Sequence, residues 1–147
     1  MKKIILLVED SFVETKKAKE VLFKEGFKFV VASTLADAKR LIEKLGIKIS
    51  GIITDIHIPE NENDVDTSKP CGLAVIARAT SELPFFPVVI CSDVNHHHAE
   101  YLEEVIKSLN SHVAYYSRFG EIPFIMDSKN WEKAVEELKK LIGGDEE

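Results

Sequence analysis

The chain has 147 residues, 45% hydrophobic and 30% charged. That is the balance of one globular domain, long enough to bury a core without covalent or metal staples. A formal net charge of −6 and a pI near 5.4 exclude a nucleic-acid surface, which needs clustered cations. Two cysteines, Cys71 and Cys91, make no disulfide framework and suit a reducing cytoplasm, and no apolar run is long enough to cross a bilayer.

The start is basic and then apolar, but the run Ile4 to Val8 is too short for a secretory signal and ends on Glu9 and Asp10. A continuous β-branched run of this kind predicts a strand covered on both faces. Ser11-Phe12-Val13-Glu14 has the form of a capping box and predicts a helix with Val13, Ala18, Val21 and Leu22 inward, ended by Gly26. Phe27 to Ala32 reads as a second strand. Ser33 or Thr34 caps a second helix, with Leu35, Ala38, Leu41, Ile42 and Leu45 at helical spacing and Gly46 as its stop.

Gly51 to Thr54 is a third strand. It ends on one carboxylate, Asp55, with Pro59 four residues on. Glu60 to Pro70 is a polar, aperiodic loop, long for a compact α/β domain and acidic at Glu60, Glu62, Asp64 and Asp66. Gly72 to Ser81 predicts a third helix with Leu73, Ile76 and either Ala79 or Ala77 inward. Pro87 to Cys91 is a fourth strand closing on Ser92, and His98 to Leu109 a fourth helix. Two candidates for the last strand follow, Val113 to Ser117 and Ile122 to Met126. Asp127 or Ser128 caps a last helix lined by Trp131, Ala134, Val135, Leu138, Leu141 and Ile142. The domain spans residues 1–142, and 143–147 form a flexible acidic tail.

Strict alternation of apolar strands with helices predicts an α/β fold, a doubly wound parallel sheet with helices on both faces. Ligands of such sheets sit beyond the carboxyl ends of the strands. Three of those ends carry reactive groups: Glu9 and Asp10, Asp55, and Ser92. Alone, each is more often a turn or a helix cap. Together the three carboxylates would repel unless a hard divalent cation such as Mg²⁺ neutralised them. Asp55 could then act as a carboxylate nucleophile toward a phosphoryl group, with Ser92 supplying a hydroxyl.

With Val8-Glu9-Asp10-Ser11, Asp55 followed by Pro59, Gly72-Leu73 and Pro87-Val88-Val89-Ile90-Cys91-Ser92 in this order, the chain resembles the receiver domains of two-component response regulators over residues 2 to 142, as a stand-alone domain. The resemblance implies a five-stranded, flavodoxin-like sheet of order 2-1-3-4-5. It implies that Asp55 accepts phosphate from a histidine kinase or phosphotransfer protein. Glu9, Asp10, Asp55 and the backbone carbonyl of His57 would hold Mg²⁺, and Ser92 would be the switch hydroxyl. It further implies a cytoplasmic signalling switch that acts on a downstream protein target, without nucleic acid or membrane, and not a metabolic enzyme.

The phosphate-binding cation has two candidates. Lys129 follows the strand candidate 122–126 and precedes the last helix, as the family's order requires, but lacks the family's following proline. Arg118 follows the candidate 113–117 and would bring a different geometry. Asp93, beside the switch hydroxyl, puts a carboxylate where a phosphoryl group would arrive. His96-His97-His98 reads as a surface cluster at a helix start, because adjacent imidazoles point in different directions. Two other readings stand beside the first. One is a receiver-like interaction module that no longer phosphorylates. The other is an Mg²⁺-dependent phosphohydrolase, for which Asp55-Ile56-His57 lacks a second carboxylate two residues on.

Overall fold

The computed structural model describes residues 3–64, 70–82, 87–92, 104–105, 107–108, 124–125 and 129–143. The elements are β1 (Ile4–Val8), α1 (Phe12–Lys24), β2 (Lys28–Ala32), α2 (Leu35–Leu45), a 3₁₀ turn (Gly46–Lys48) and β3 (Ile49–Thr54). After them come α3 (Cys71–Glu82), β4 (Val88–Cys91), the two-residue β5 (Phe124–Ile125) and α4 (Trp131–Gly143). The strands form one parallel sheet of order β2-β1-β3-β4-β5. The expected architecture is therefore present, and β5 falls on the second of the two candidate segments. Asp93, His96 to His98, the candidate 113–117 and Arg118 lie outside the described residues, as do Asp127 and Ser128. Of the expected fourth helix, residues 104, 105, 107 and 108 are described, and they are helical.

The sheet is buried on both faces because successive side chains of each strand point to opposite sides. Leu6, Val8, Ile52 and Ile90 pack with Ala38, Ile42, Val75, Ile76 and Ala79 of α2 and α3. Ile5, Leu7, Ile53, Val89 and Cys91 pack with Ala18 and Leu22 of α1 and Trp131, Ala134, Val135, Leu138 and Ile142 of α4. A run without polar residues was thus the right signal for strands sandwiched between helix layers.

Some expectations need correction. Val13 is 60% exposed, since it sits on the far side of α1 from Ala18 and Leu22. On α3 the alternative Ala79 or Ala77 is decided without correction: Ala79 is buried and Ala77 exposed. The capping box is half formed. Ser11 Oγ accepts from Glu14 N at 3.3 Å, but Glu14 does not reach back, and Ser11 N donates instead to Glu9 Oε2 at 3.0 Å. At α4 the cap is Asn130, whose Oδ1 accepts from Lys133 N at 3.1 Å, and the helix runs through Gly143, one residue into the expected tail. Thr34 caps α2 as expected, accepting from Asp37 N at 3.0 Å.

The long loop is pinned at its base. Ile58 bridges Pro70 in parallel. Leu35 N and Ala36 N, unpaired within α2, donate to Pro59 O at 2.9 Å and Glu60 O at 3.0 Å. Among the described residues no helix is long and apolar enough to cross a membrane.

Candidate functional site

Parallel pairing carries the strand ends to one edge. Val8 is in register with Ala32 on one side and Thr54 on the other. The ladder runs one residue further on both sides: Glu9 N donates to Ala32 O and Asp55 N to Val8 O, each at 3.0 Å. Thr54 pairs with Ile90, so Ser92 stands just beyond the neighbouring strand's end. Glu9, Asp55 and Ser92 are 1%, 4% and 1% exposed, while Asp10 faces solvent. One carboxylate oxygen from each of Glu9, Asp10 and Asp55 lies within 4.8 Å of the others. Buried carboxylates at this spacing are costly unless neutralised.

Part of the neutralisation comes from Lys129. Its Nζ lies 2.8 Å from Glu9 Oε1 and 2.9 Å from Asp55 Oδ2. The order of elements in the sequence favours Lys129 over its rival Arg118, and the structure brings Lys129 to the acids. Asp55 Oδ1 accepts from Ile56 N at 2.7 Å, and Thr54 Oγ1 donates to Asp55 O at 2.8 Å. Both oxygens of the Asp55 carboxylate are therefore oriented.

The electrostatics follow from burial. Removal from water and the nearby Asp55 charge raise the Glu9 carboxyl from 4.5 to about 7, against the opposing pull of Lys129. Burial disfavours the Lys129 ammonium, but the Asp55 and Glu9 carboxylates outweigh it and drive its pKa well above the usual lysine range. The Cys91 thiol is pushed up by burial and by the same two carboxylates, which makes it an inert core residue.

An all-oxygen donor set of three carboxylates, one open to water, suits a hard divalent cation that keeps part of its hydration shell. With all three carboxylates ionised, the single Lys129 ammonium on two of them leaves the cluster two positive charges short of balance, and a bound divalent cation would meet that demand. Two further features shape the site. Gly72 at the start of α3 donates its N–H to Ile56 O at 2.7 Å, and a Cβ there would fall 1.9 Å from Asp55 O. Lys129 has a φ of 47°, a left-handed conformation that costs a non-glycine residue about 1 kcal/mol.

Sequence reasoning missed the hydrogen bond of Trp131 Nε1 to Glu14 Oε2 at 2.7 Å, between α4 and α1. Glu14 was assigned to a local capping box, and nothing local marks a partner 117 residues away.

No family model matches the chain, and no curated protein does. Solved structures do. A CheY-like response regulator receiver domain protein from Methanospirillum hungatei aligns with a TM-score of 0.72 at 19% identity, over 99% of this chain and 98% of that one. A response regulator receiver domain protein from Clostridium thermocellum aligns at 0.71 and 15% identity, over 98% and 97%. The response regulator TrrA from Thermotoga maritima, solved in complex with Mg²⁺ and BeF, aligns at 0.65 and 19% identity, over 95% and 98%. The fold is that of CheY-like receiver domains along nearly the whole chain.

Proposed function

We propose that the chain is a receiver, a switch that takes a phosphoryl group on Asp55 from a phosphohistidine and changes its contacts with a protein target. The observation that carries this reading is the Asp55 carboxylate. It is buried at the end of β3, held by Lys129 on one oxygen and by Ile56 N–H on the other, with Glu9 and Asp10 beside it. In the transfer an Asp55 oxygen forms the new P–O bond as the P–N bond to the donor imidazole breaks, and the electron pair leaves with the imidazole. Lys129 follows the charge. Its ammonium, paired with Asp55 Oδ2 beforehand, can stabilise the phosphoryl oxygens as the carboxylate loses its own charge. The hydroxyl of Ser92 is the donor assigned to the same oxygens.

Glu9, Asp10, Asp55 and the His57 backbone carbonyl are the groups this reading assigns to Mg²⁺. When bound, that ion would offset carboxylate repulsion and polarise the phosphoryl oxygens. The partners are a histidine kinase or phosphotransfer protein and a downstream protein, in the cytoplasm. We assign contact with one of them to the loop from Glu60 to Pro70, whose first carbonyl, Glu60 O, accepts from Ala36 N of α2.

The test is direct. With Mg²⁺ and a small phosphodonor, the wild-type mass should rise by one phosphoryl group, and Asp55→Asn should abolish the change. Beryllofluoride should bind wild type and not the variant. Absence of both responses in wild type would leave a receiver fold that acts without phosphorylation, and steady turnover of phosphoesters would point to a hydrolase.

A further inference from the structure

Lys129 is held from behind as well as in front, through the start of α4 and the first turn of α1. Its left-handed backbone, φ 47°, persists in a non-glycine residue only where the surroundings fix it. In front, Nζ is paired with Glu9 and Asp55. Behind, Asn130 caps α4, and Trp131, the next residue and only 4% exposed, donates its indole N–H to Glu14 Oε2 at 2.7 Å. Glu14 belongs to the first turn of α1, whose cap residue Ser11 donates its own N–H to Glu9 Oε2 at 3.0 Å. The first turn of α1 is thus tied both to the acid that pairs with Lys129 and to the residue that follows its turn. Asparagine at 130 leaves this backbone without the restraint a proline ring would impose.

We infer that Glu14 and Trp131 are positioning residues: their hydrogen bond clamps α4 to α1 and thereby sets where Lys129 presents its ammonium to Asp55. The catalytic consequence rests on the phosphoacceptor reading, whereas the clamp itself does not. The Lys17 ammonium, 3.7 Å from the other oxygen of Glu14, lies on an exposed turn and contributes little.

Three variants test the clamp. Glu14→Ala removes the acceptor, Glu14→Gln keeps an acceptor oxygen while removing the charge, and Trp131→Phe keeps the ring while removing the donor. Two readouts are independent of each other. The first is the rate of phosphoryl uptake from a small phosphodonor at saturating Mg²⁺. The second is the acylation rate of the Lys129 amine, followed by peptide mass spectrometry on the folded, metal-free protein. Trp131 is the sole tryptophan, so indole emission reports whether its bond is lost in the Glu14 variants.

Glu14→Ala and Trp131→Phe should slow uptake by about tenfold, the scale expected when a positioned group is released, and should speed Lys129 acylation. Glu14→Gln should restore both to within about twofold of wild type. Unchanged Lys129 acylation in Glu14→Ala, with an indole emission shift showing the bond broken, would overturn the proposal. Faster acylation in a protein whose wild type takes up no phosphoryl group would leave the clamp standing and remove the acceptor reading.

Discussion

Glu9 is the acid of the cluster whose ionisation is moved into the neutral range. Its carboxyl ionises near 7 in the folded protein and near 4.5 ordinarily. Between those values the folded state keeps a proton that the unfolded chain has lost. The stabilising contribution is therefore complete below pH 4.5 and is lost as pH rises through about 7. Without metal, the melting temperature should fall across that window, and Glu9→Gln should flatten the fall. A bound cation needs the ionised form, so the two effects have opposite signs. Mg²⁺ affinity should weaken below about pH 7, by up to about tenfold per pH unit, and binding should release protons. Calorimetric titrations in buffers of different ionisation enthalpy would read that release. An affinity flat from pH 6 to pH 8 would remove Glu9 from the ligands of the ion.

Among the described glycines, the closest backbone approach is that of α3, at Gly72, to the turn after β3. A Cβ on Gly72 would fall 1.9 Å from Asp55 O and 2.7 Å from Ile56 Cα. Backbone atoms cannot swing aside, so Gly72→Ala must push α3 back and break the bond of Gly72 N–H to Ile56 O. A loss of about 3 kcal/mol is expected, in the range of severe overpacking, together with slower phosphoryl uptake. Gly51→Ala is the contrast. Its Cβ would press on the tips of Leu138 at 2.9 Å and Ile142 at 3.3 Å, which can rotate, and would meet backbone only at Pro87 O, 3.5 Å away in ordinary contact, at a cost of about 1 kcal/mol. Denaturant melts of the two variants would separate these outcomes. The elements themselves were legible because burial on both faces leaves β-branched runs, and one-sided burial leaves helical spacing. Gly72 at a helix start was visible too, but its reason was not, since that lies in the Asp55–Ile56 peptide across the long loop. The cap of α4 was misread because Asp127 and Ser128 are as good by type as Asn130. Val13 was misread because one apolar residue in a first turn does not say which side the core is on.

The whole molecule is two apolar layers holding a sheet whose carboxyl edge gathers acids, and that edge works against folding. Among the described residues, Lys129 is the cation paired with these acids. Removing it by Lys129→Ala leaves Glu9 and Asp55, both buried, facing each other with no cation between them. Breaking one side of a buried ionic cluster costs about 3 kcal/mol or more, although Glu9 can recover part of this by taking up a proton. Lys140→Ala is the control. Its pairs with Glu136 at 3.7 Å and Glu137 at 3.5 Å sit on an exposed face and contribute below about 1 kcal/mol. If the acids form the cation site, Mg²⁺ stabilises the folded state by mass action, about 2.7 kcal/mol at a hundredfold excess over Kd. Lys129→Ala also removes the competitor for two of the three ligands, so its Kd should be lower than that of wild type. The variant should then melt well below wild type without Mg²⁺ and recover more of its melting temperature when Mg²⁺ is added. Thermal scans of wild type, Lys129→Ala and Lys140→Ala, each with and without Mg²⁺, decide the matter. Equal Mg²⁺ shifts in all three would mean that the lysine and the ion do not share these carboxylates.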